Sequence, residues 1–286
     1  MLKKIFSIVI PTLNEEKYLP RLLEDLAKQT FPKELFEVIH VDGNSDDKTL
    51  EKANQFKNKL DIKSLIVDKR NVSFQRNIGS EQAIGEWIIF MDADDQLPNY
   101  FLDGIKYQLA RNKDTDIFTT WSAVKKDDTL SNSINRMINL GLELYKSGGR
   151  PSAMGAMIGI RKKIMNKTKF DETQNFMEDV FFVQSVCNLG FNMSIFREPR
   201  YILSMRRYVK EGTLKSISNG ALLQLKFLQG KDFKDEDRYK MEGGSYYDDI
   251  SPSLFKNILT NIKKMPSQQI KSTRKILNSI SKELGI

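Results

Sequence analysis

The sequence predicts an α/β protein: a mainly parallel, doubly wound central sheet flanked by helices, with a C-terminal helical extension. Three observations carry this expectation. The first hundred of the 286 residues alternate strand-length apolar runs with helical segments, reading β-α-β-α-β-α-β. One run, Trp87-Ile88-Ile89-Phe90-Met91, is apolar without alternation, as suits a strand covered on both faces. Acidic loops follow the strands, with Asp42 after the second and Asp92, Asp94 and Asp95 after the fourth. Open α/β sheets bind ligands at such carboxyl ends.

The elements justify themselves in order. Ile5 to Ile10 reads as a buried strand ended by Pro11, which has no N–H to give a ladder. Thr12-Leu13-Asn14 supplies capping residues, and Glu15 and Glu16 are expected to open a helix at its positive end, striped by Leu19, Leu22, Leu23 and Leu26. Phe36 to Val41 is a second strand running into a Gly43-Asn44 turn, with a helix from about Lys48 to Lys57. Ile62 to Val67 is a weaker third strand, and Ser73 to Ile84 a helix carrying Arg76 and Asn77. Beyond the fourth strand the pattern loosens. Tyr100 to Asn112 has helical spacing, Asp116 to Val124 reads as a strand, and Ile134 to Tyr145 as a helix. After the Gly148-Gly149-Arg150-Pro151 break, Met154 to Ile160 reads as a strand whose glycines admit close approach by a ligand or another backbone. Phe176-Met177-Glu178-Asp179 starts a helix reaching about Leu189, and Tyr201 to Met205 is expected as the final strand. Lys231 to Ser251 is polar and reads as loop; Ser253 to Lys264 and Gln268 to Leu284 read as basic helices.

Composition narrows the function classes. No apolar stretch approaches the roughly 20 residues that span a bilayer. The N-terminal apolar run breaks at Pro11 without a small-residue cleavage site, so it reads as a strand rather than a signal peptide. Cys187 is alone, which excludes an intrachain disulfide and Cys-rich zinc sites and fits a reducing cytoplasm. The net charge of +8 favours anionic partners. Much of the excess is in the tail: from Ser253 onward seven Lys/Arg face the single acid Glu283. Nucleic acid is disfavoured, because that basic excess lacks interleaved aromatics.

The acidic stretch after the fourth strand carries the chemistry. Along an extended chain Asp92 and Asp94 point to the same side, about 7 Å apart at their Cα atoms. They can share one hard cation whose remaining positions are filled by phosphate oxygens. Acids in such a loop also serve as turn or cap residues, an alternative reading for Asp42 as well.

Taken together, Ser7-Ile8-Val9-Ile10-Pro11-Thr12-Leu13-Asn14-Glu15-Glu16, Val41-Asp42-Gly43-Asn44-Ser45-Asp46-Asp47, Arg76-Asn77-Ile78-Gly79, Gly85 to Asp95, and Glu178-Asp179 resemble a family 2 glycosyltransferase of the GT-A fold, across roughly residues 4–212. The resemblance implies a catalytic domain over 1–212, with a nucleotide-binding half (1–98) and an acceptor half (99–212), before the 213–286 extension. It implies that Asp42 contacts the donor base and that Pro11, Thr12 and Glu15 line the nucleotide pocket. Asp92 and Asp94, with Ala93 between them against the donor, would hold Mg2+ or Mn2+. Asp92-Ala93-Asp94-Asp95-Gln96 is also similar to dolichyl-phosphate mannose synthases, which adds Gln96 as a metal ligand. Asp179 would be the base that deprotonates the acceptor hydroxyl in an inverting transfer, with Glu178 assisting or orienting it. Arg206 and Arg207, with Tyr208 and Gly212, resemble a basic segment that folds over the donor pyrophosphate, and Arg70 and Arg76 are candidates for the base or diphosphate. His40, inside a strand, reads as structural.

The expected partners are a UDP- or GDP-linked sugar and a glycan or lipid-linked acceptor, with the protein at the inner face of a membrane if its basic amphipathic tail binds lipid. That tail can equally pack on the domain or on a second subunit. A non-catalytic nucleotide-sugar or glycan-binding module is a rival reading, although every catalytic motif position is filled. A sugar nucleotidyltransferase fits less well, because Pro11-Thr12-Leu13-Asn14 lacks a Gly-rich loop with a basic residue.

Overall fold

The computed structural model describes residues 3–125, 129–206 and 244. The expected extension over 213–286 and the two basic helices expected in it, together with Arg207, lie outside the described residues, Gly244 apart.

One seven-stranded sheet organises the chain. Its strands are β1 (Phe6–Thr12), β2 (Phe36–Asp42), β3 (Ile62–Ile66), β4 (Trp87–Met91), β5 (Ile117–Ala123), β6 (Met157–Arg161) and β7 (Met193–Ile202). The order across the sheet is β3-β2-β1-β4-β6-β5-β7. β1 pairs in parallel with β2 and β4, β2 with β3, and β5 with β7; β6 runs antiparallel to both β4 and β5. The expected α/β architecture with a mainly parallel sheet is therefore observed, and β1, β2 and β4 end along one edge.

The helices are α1 (Leu19–Ala27), α2 (Thr49–Asn54), α3 (Val72–Gln82), α4 (Phe101–Arg111), α5 (Thr129–Ser147), α6 (Lys162–Met165) and α7 (Glu178–Asn188). Strand residues alternate between two cores. Ile8 and Ile10 join the leucines of α1 and Phe101, Leu102 and Ile105 of α4 on one face. Val9, Ile88 and Phe90 join Phe170 and Phe182, Val183 and Val186 of α7 on the other. All five residues of β4 are buried, as its unbroken apolar run requires. Gly79 of α3 lies against Val9, where an added Cβ would collide with the valine, so the missing side chain brings α3 down onto β1.

Three boundaries differ from expectation for physical reasons. α1 begins at Leu19 because Glu15 and Glu16 are taken into loop contacts with the segment after β2. β7 begins at Met193, eight residues before the expected Tyr201; its Arg197-Glu198-Pro199 interior lacks a strand pattern and is tolerated beside only one neighbour, β5, at the sheet edge. α5 starts at Thr129, ahead of the apolar stripe that marks it in the sequence.

Candidate active site

The loops after β1 and β2 form one interlocked unit. Asn14, in a left-handed conformation (φ 54°), donates its N–H to Ser45 Oγ (2.9 Å) and accepts from the Asp46 N–H through its side chain (2.8 Å). Glu15 N–H donates to Thr49 Oγ1 (2.7 Å), Glu16 N–H to Asp47 (3.1 Å), and the Lys48 N–H to Glu16 (3.1 Å). Backbone groups of two loops are thus satisfied by each other.

Inside that unit lies Asp42, 1% exposed. One carboxylate oxygen accepts the Ser45 N–H (2.6 Å) and the other the Thr12 hydroxyl (3.3 Å), which register places beside it in the sheet. Burial raises the Asp42 pKa against these hydrogen bonds. Thr12 Oγ1 also lies 2.8 Å from His40 Nε2, and His40 Nδ1 lies 3.1 Å from Ser64 Oγ. Burial lowers the His40 pKa to about 4, so the ring is neutral. If Thr12 donates to Asp42, the ring must donate from Nε2 and accept Ser64's proton at Nδ1, giving a buried line Ser64–His40–Thr12–Asp42.

At the end of β4 the three acids separate by environment. Asp92, with 41% of its side chain exposed, accepts from Arg76 at 3.2 Å. Asp94 accepts from Arg206 Nε at 2.9 Å. Asp95 turns inward: it is 1% exposed and accepts the Ser204 N–H (3.1 Å), and burial followed by Asp94 and Asp92 pushes its carboxyl well above the ordinary range. Ala93 is buried between them. Gln96 pairs through its backbone with Ile202, while its side-chain oxygen accepts from Lys125 (3.2 Å).

Arg206 joins two loops. Its guanidinium donates to Asp94 and, through Nη2, to both oxygens of Glu15 (2.9 and 3.0 Å), and it stacks 3.8 Å above the Tyr18 ring. Burial raises the Glu15 pKa to about 8, opposed by Arg206 and assisted by Asp94. Gly244 reaches the same place, donating its N–H to the Leu13 carbonyl at 2.8 Å.

The second acidic pair opens α7, after Met177 in a left-handed conformation (φ 57°), unusual for a side chain of this size. Glu178 is 4% exposed and accepts from Arg76 Nη1 at 2.8 Å. Asp179 accepts the Gly155 N–H (2.6 Å) and the Val180 N–H (2.7 Å). Burial, then the Glu178 charge, raises its pKa to about 7, with Arg76 opposing. A carboxyl poised there is matched to accepting a proton near neutrality.

Two further candidates have protein partners. Arg76, expected at the donor, is 2% exposed and has its two terminal nitrogens on Asp92 and Glu178, so it serves carboxylates inside the protein. Arg70, expected near the base or diphosphate, is paired with Asp46 and the Asn44 carbonyl. Pro11 and Thr12 lie buried at the end of β1. Tyr18 carries no sequence signal for its place at the site; Gly155, among the glycines expected to admit close approach, acts through its backbone N–H and its lack of a side chain.

Among the described residues, no three His, Cys, Asp or Glu side chains form a ready-made metal cluster. Asp92 and Asp94 nevertheless fit a hard cation that takes its other ligands from a diphosphate: both are ionisable oxygen donors, both partly open, and both already draw a cationic side chain. Asp95 is turned inward, and the Gln96 side-chain oxygen accepts from Lys125.

Among known proteins, the profile described as glycosyl transferase family 2 matches residues 7–169, more than half of the chain. TarS of Staphylococcus aureus, a poly(ribitol-phosphate) beta-N-acetylglucosaminyltransferase, is 44% identical over 94 residues, which are 32% of this chain and 16% of that protein. A PGL/p-HBAD biosynthesis glycosyltransferase of Mycobacterium tuberculosis is 41% identical over 100 residues, 34% of this chain and 38% of that one. The chain thus aligns with well under half the length of these curated relatives. The crystal structure of S. aureus TarS 1–349 in complex with UDP superposes with a TM-score of 0.56 at 26% identity, covering 72% of this chain and 62% of that one. A mannosyltransferase from Pyrobaculum calidifontis, solved with GDP-Man and Mn2+, gives 0.60 at 18% identity over 72% of this chain and 58% of that one, a likeness of fold. No helix among the described residues is long and apolar enough to cross a membrane.

Proposed function

The chain belongs to glycosyl transferase family 2, and from that membership we propose that it transfers one sugar, with inversion, from a UDP-linked donor to a hydroxyl of a glycan or lipid-linked acceptor. The observation that carries the reading is the convergence of two acid sets on one sheet edge, Asp92 and Asp94 from β4 and Glu178–Asp179 from α7, joined by the Arg76 guanidinium. Support for UDP over GDP comes from the S. aureus relative, which at 26% identity was solved in complex with UDP.

In this reading Asp42 accepts from the base, held by Thr12 and Ser45. Asp92 and Asp94 would hold Mg2+ or Mn2+, which would supply positive charge against the departing diphosphate. Arg206 lies within reach to add its guanidinium to the same charge. Asp179 takes the proton from the acceptor hydroxyl as that oxygen bonds to the anomeric carbon and the bond from that carbon to the diphosphate breaks. One proton passes to the carboxylate, and UDP leaves on the opposite face.

The test is thermal stability of the purified chain with UDP, GDP and their sugars, each with and without Mn2+. A ligand that binds only the folded state raises its stability. Stabilisation by UDP and UDP-sugars in the presence of Mn2+ is the expected result; a response to GDP alone would move the donor class, and no response to any would reject the reading.

A further inference from the structure

We propose that Arg76 is a positioning residue that ties the donor-side carboxylate Asp92 to the first turn of α7 and thereby holds Asp179 in place to receive the acceptor proton. The inference rests on the transfer reading above and adds to it a residue that touches neither donor nor acceptor.

The geometry is specific. Arg76 stands on α3 in the first half of the chain, and its side chain runs inward until only 2% of the residue is exposed. The two arms of its guanidinium diverge: Nη1 donates to Glu178 Oε1 at 2.8 Å, Nη2 to Asp92 Oδ1 at 3.2 Å. The Phe170 ring lies 5.3 Å from the Arg76 Cζ, and that ring stacks on Phe182 of α7. A planar fork with fixed angles between its donors sets the separation of two carboxylates in a way that a flexible ammonium does not.

Gly155 makes the arrangement possible. A Cβ at that position would overlap Nη2 and crowd the rest of the guanidinium. The same residue donates its N–H to Asp179 Oδ2 at 2.6 Å. The backbone that must lie close to Arg76 is therefore the backbone that fixes the base. Asp179 is the neighbour of Glu178, so a shift of the Glu178 side chain moves the first turn of α7 and the carboxylate on it. The charged and titratable groups around Asp179 are Glu178 beside it on α7, Arg76 from α3 and Tyr201 from β7. Of these Arg76 is the cation, so its removal makes Asp179 harder to ionise.

Arg76→Lys keeps the charge and loses the fork; Arg76→Met combined with Glu178→Met removes the buried pair together and leaves Asp92, 41% exposed at its side chain, to solvent. For each variant and the wild type, the measurements are the melting temperature, UDP affinity with Mn2+ by calorimetry, and kcat as a function of pH with a UDP-sugar. For Arg76→Lys the expected result is a folded protein whose UDP affinity stays within about threefold of wild type while kcat falls by about tenfold or more, with the pH at which activity rises little displaced because the charge is kept. The double variant is expected to melt near the wild type and to show the same loss of kcat, so it decides the matter if the lysine variant does not fold. Wild-type kcat in a folded variant overturns the proposal, as does weakened UDP binding with kcat unchanged at saturation. A wild-type chain that neither binds UDP nor transfers sugar sinks the transfer reading itself; an active wild type with indifferent variants sinks this inference alone.

Discussion

Asp179 and Gly155 are joined by a hydrogen bond of 2.6 Å from the glycine N–H to the aspartate Oδ2, linking the start of α7 to the segment before β6. The bond favours the ionised carboxylate, burial and the Glu178 charge disfavour it, and the balance is a pKa of about 7. A base must be ionised to act. The rate of transfer at limiting substrate should therefore climb as pH rises through about 7 and level off above it. Asp179→Asn should bind UDP normally and lose about 10²-fold or more in kcat. Full activity of that variant with the true acceptor would place the base elsewhere.

Asp94→Ala should abolish the Mn2+-dependent part of UDP binding, because Asp94 and Asp92 are the open carboxylates of the β4 loop. The substitution also leaves the Arg206 guanidinium on Glu15 without the Asp94 carboxylate. Calorimetric titration of UDP with and without Mn2+ reads this directly; equal Mn2+ dependence in variant and wild type would remove Asp94 from the metal.

Thr12→Val is nearly isosteric yet takes the hydroxyl from between His40 and Asp42. Leaving buried polar atoms unpaired costs about 1–3 kcal/mol, and the freed Asp42 carboxylate should weaken UDP binding by about tenfold at a measured Kd, since 1.4 kcal/mol is one decade. An unaltered Kd would separate Asp42 from base recognition.

His40 predicts a pH effect on stability of definite sign. Its pKa falls from 6.5 to about 4 on folding, so between those values the unfolded chain holds more proton than the folded one. Stability contributed by the neutral ring is complete above pH 6.5 and is lost as pH falls toward 4, by up to roughly 3 kcal/mol. Denaturant unfolding of wild type and His40→Gln at several pH values should show this slope in the wild type alone.

Gly155→Ala should destabilise the chain by about 1–3 kcal/mol, because the added methyl must displace a buried guanidinium. A melting temperature equal to wild type would mean that the Gly155 backbone has room to retreat from Arg76.

The sheet was legible because its signals are local. An apolar run such as Trp87–Met91 names its own burial, and loops rich in Gly43, Asn44 and Asp46 mark the turns that follow. β7 was legible only in its last residues, since Arg197, Glu198 and Pro199 hide a strand that a sheet edge tolerates. At the site, the short spacing of Asp92 and Asp94 pointed to a shared cation, while Asp179 was implied by the family resemblance. The task of Arg76 could not be read that way: it depends on carboxylates 16 and 102 positions distant and on a glycine between them in space. Asp95 resembles its neighbours in sequence and differs through what the fold buries around it.

The interlocked loops after β1 and β2 set a rule for anyone who would change the nucleotide this protein accepts. Asn14 and Asp46, Glu16 and Lys48, Glu15 and Thr49 each satisfy a backbone group of the opposite loop. Grafting one loop from a relative with another base preference would strand the partners left behind. In the proposed reading the unit of base choice is the pair, two short segments more than thirty positions apart that must be exchanged together, and natural variation in one should be answered by compensating variation in the other.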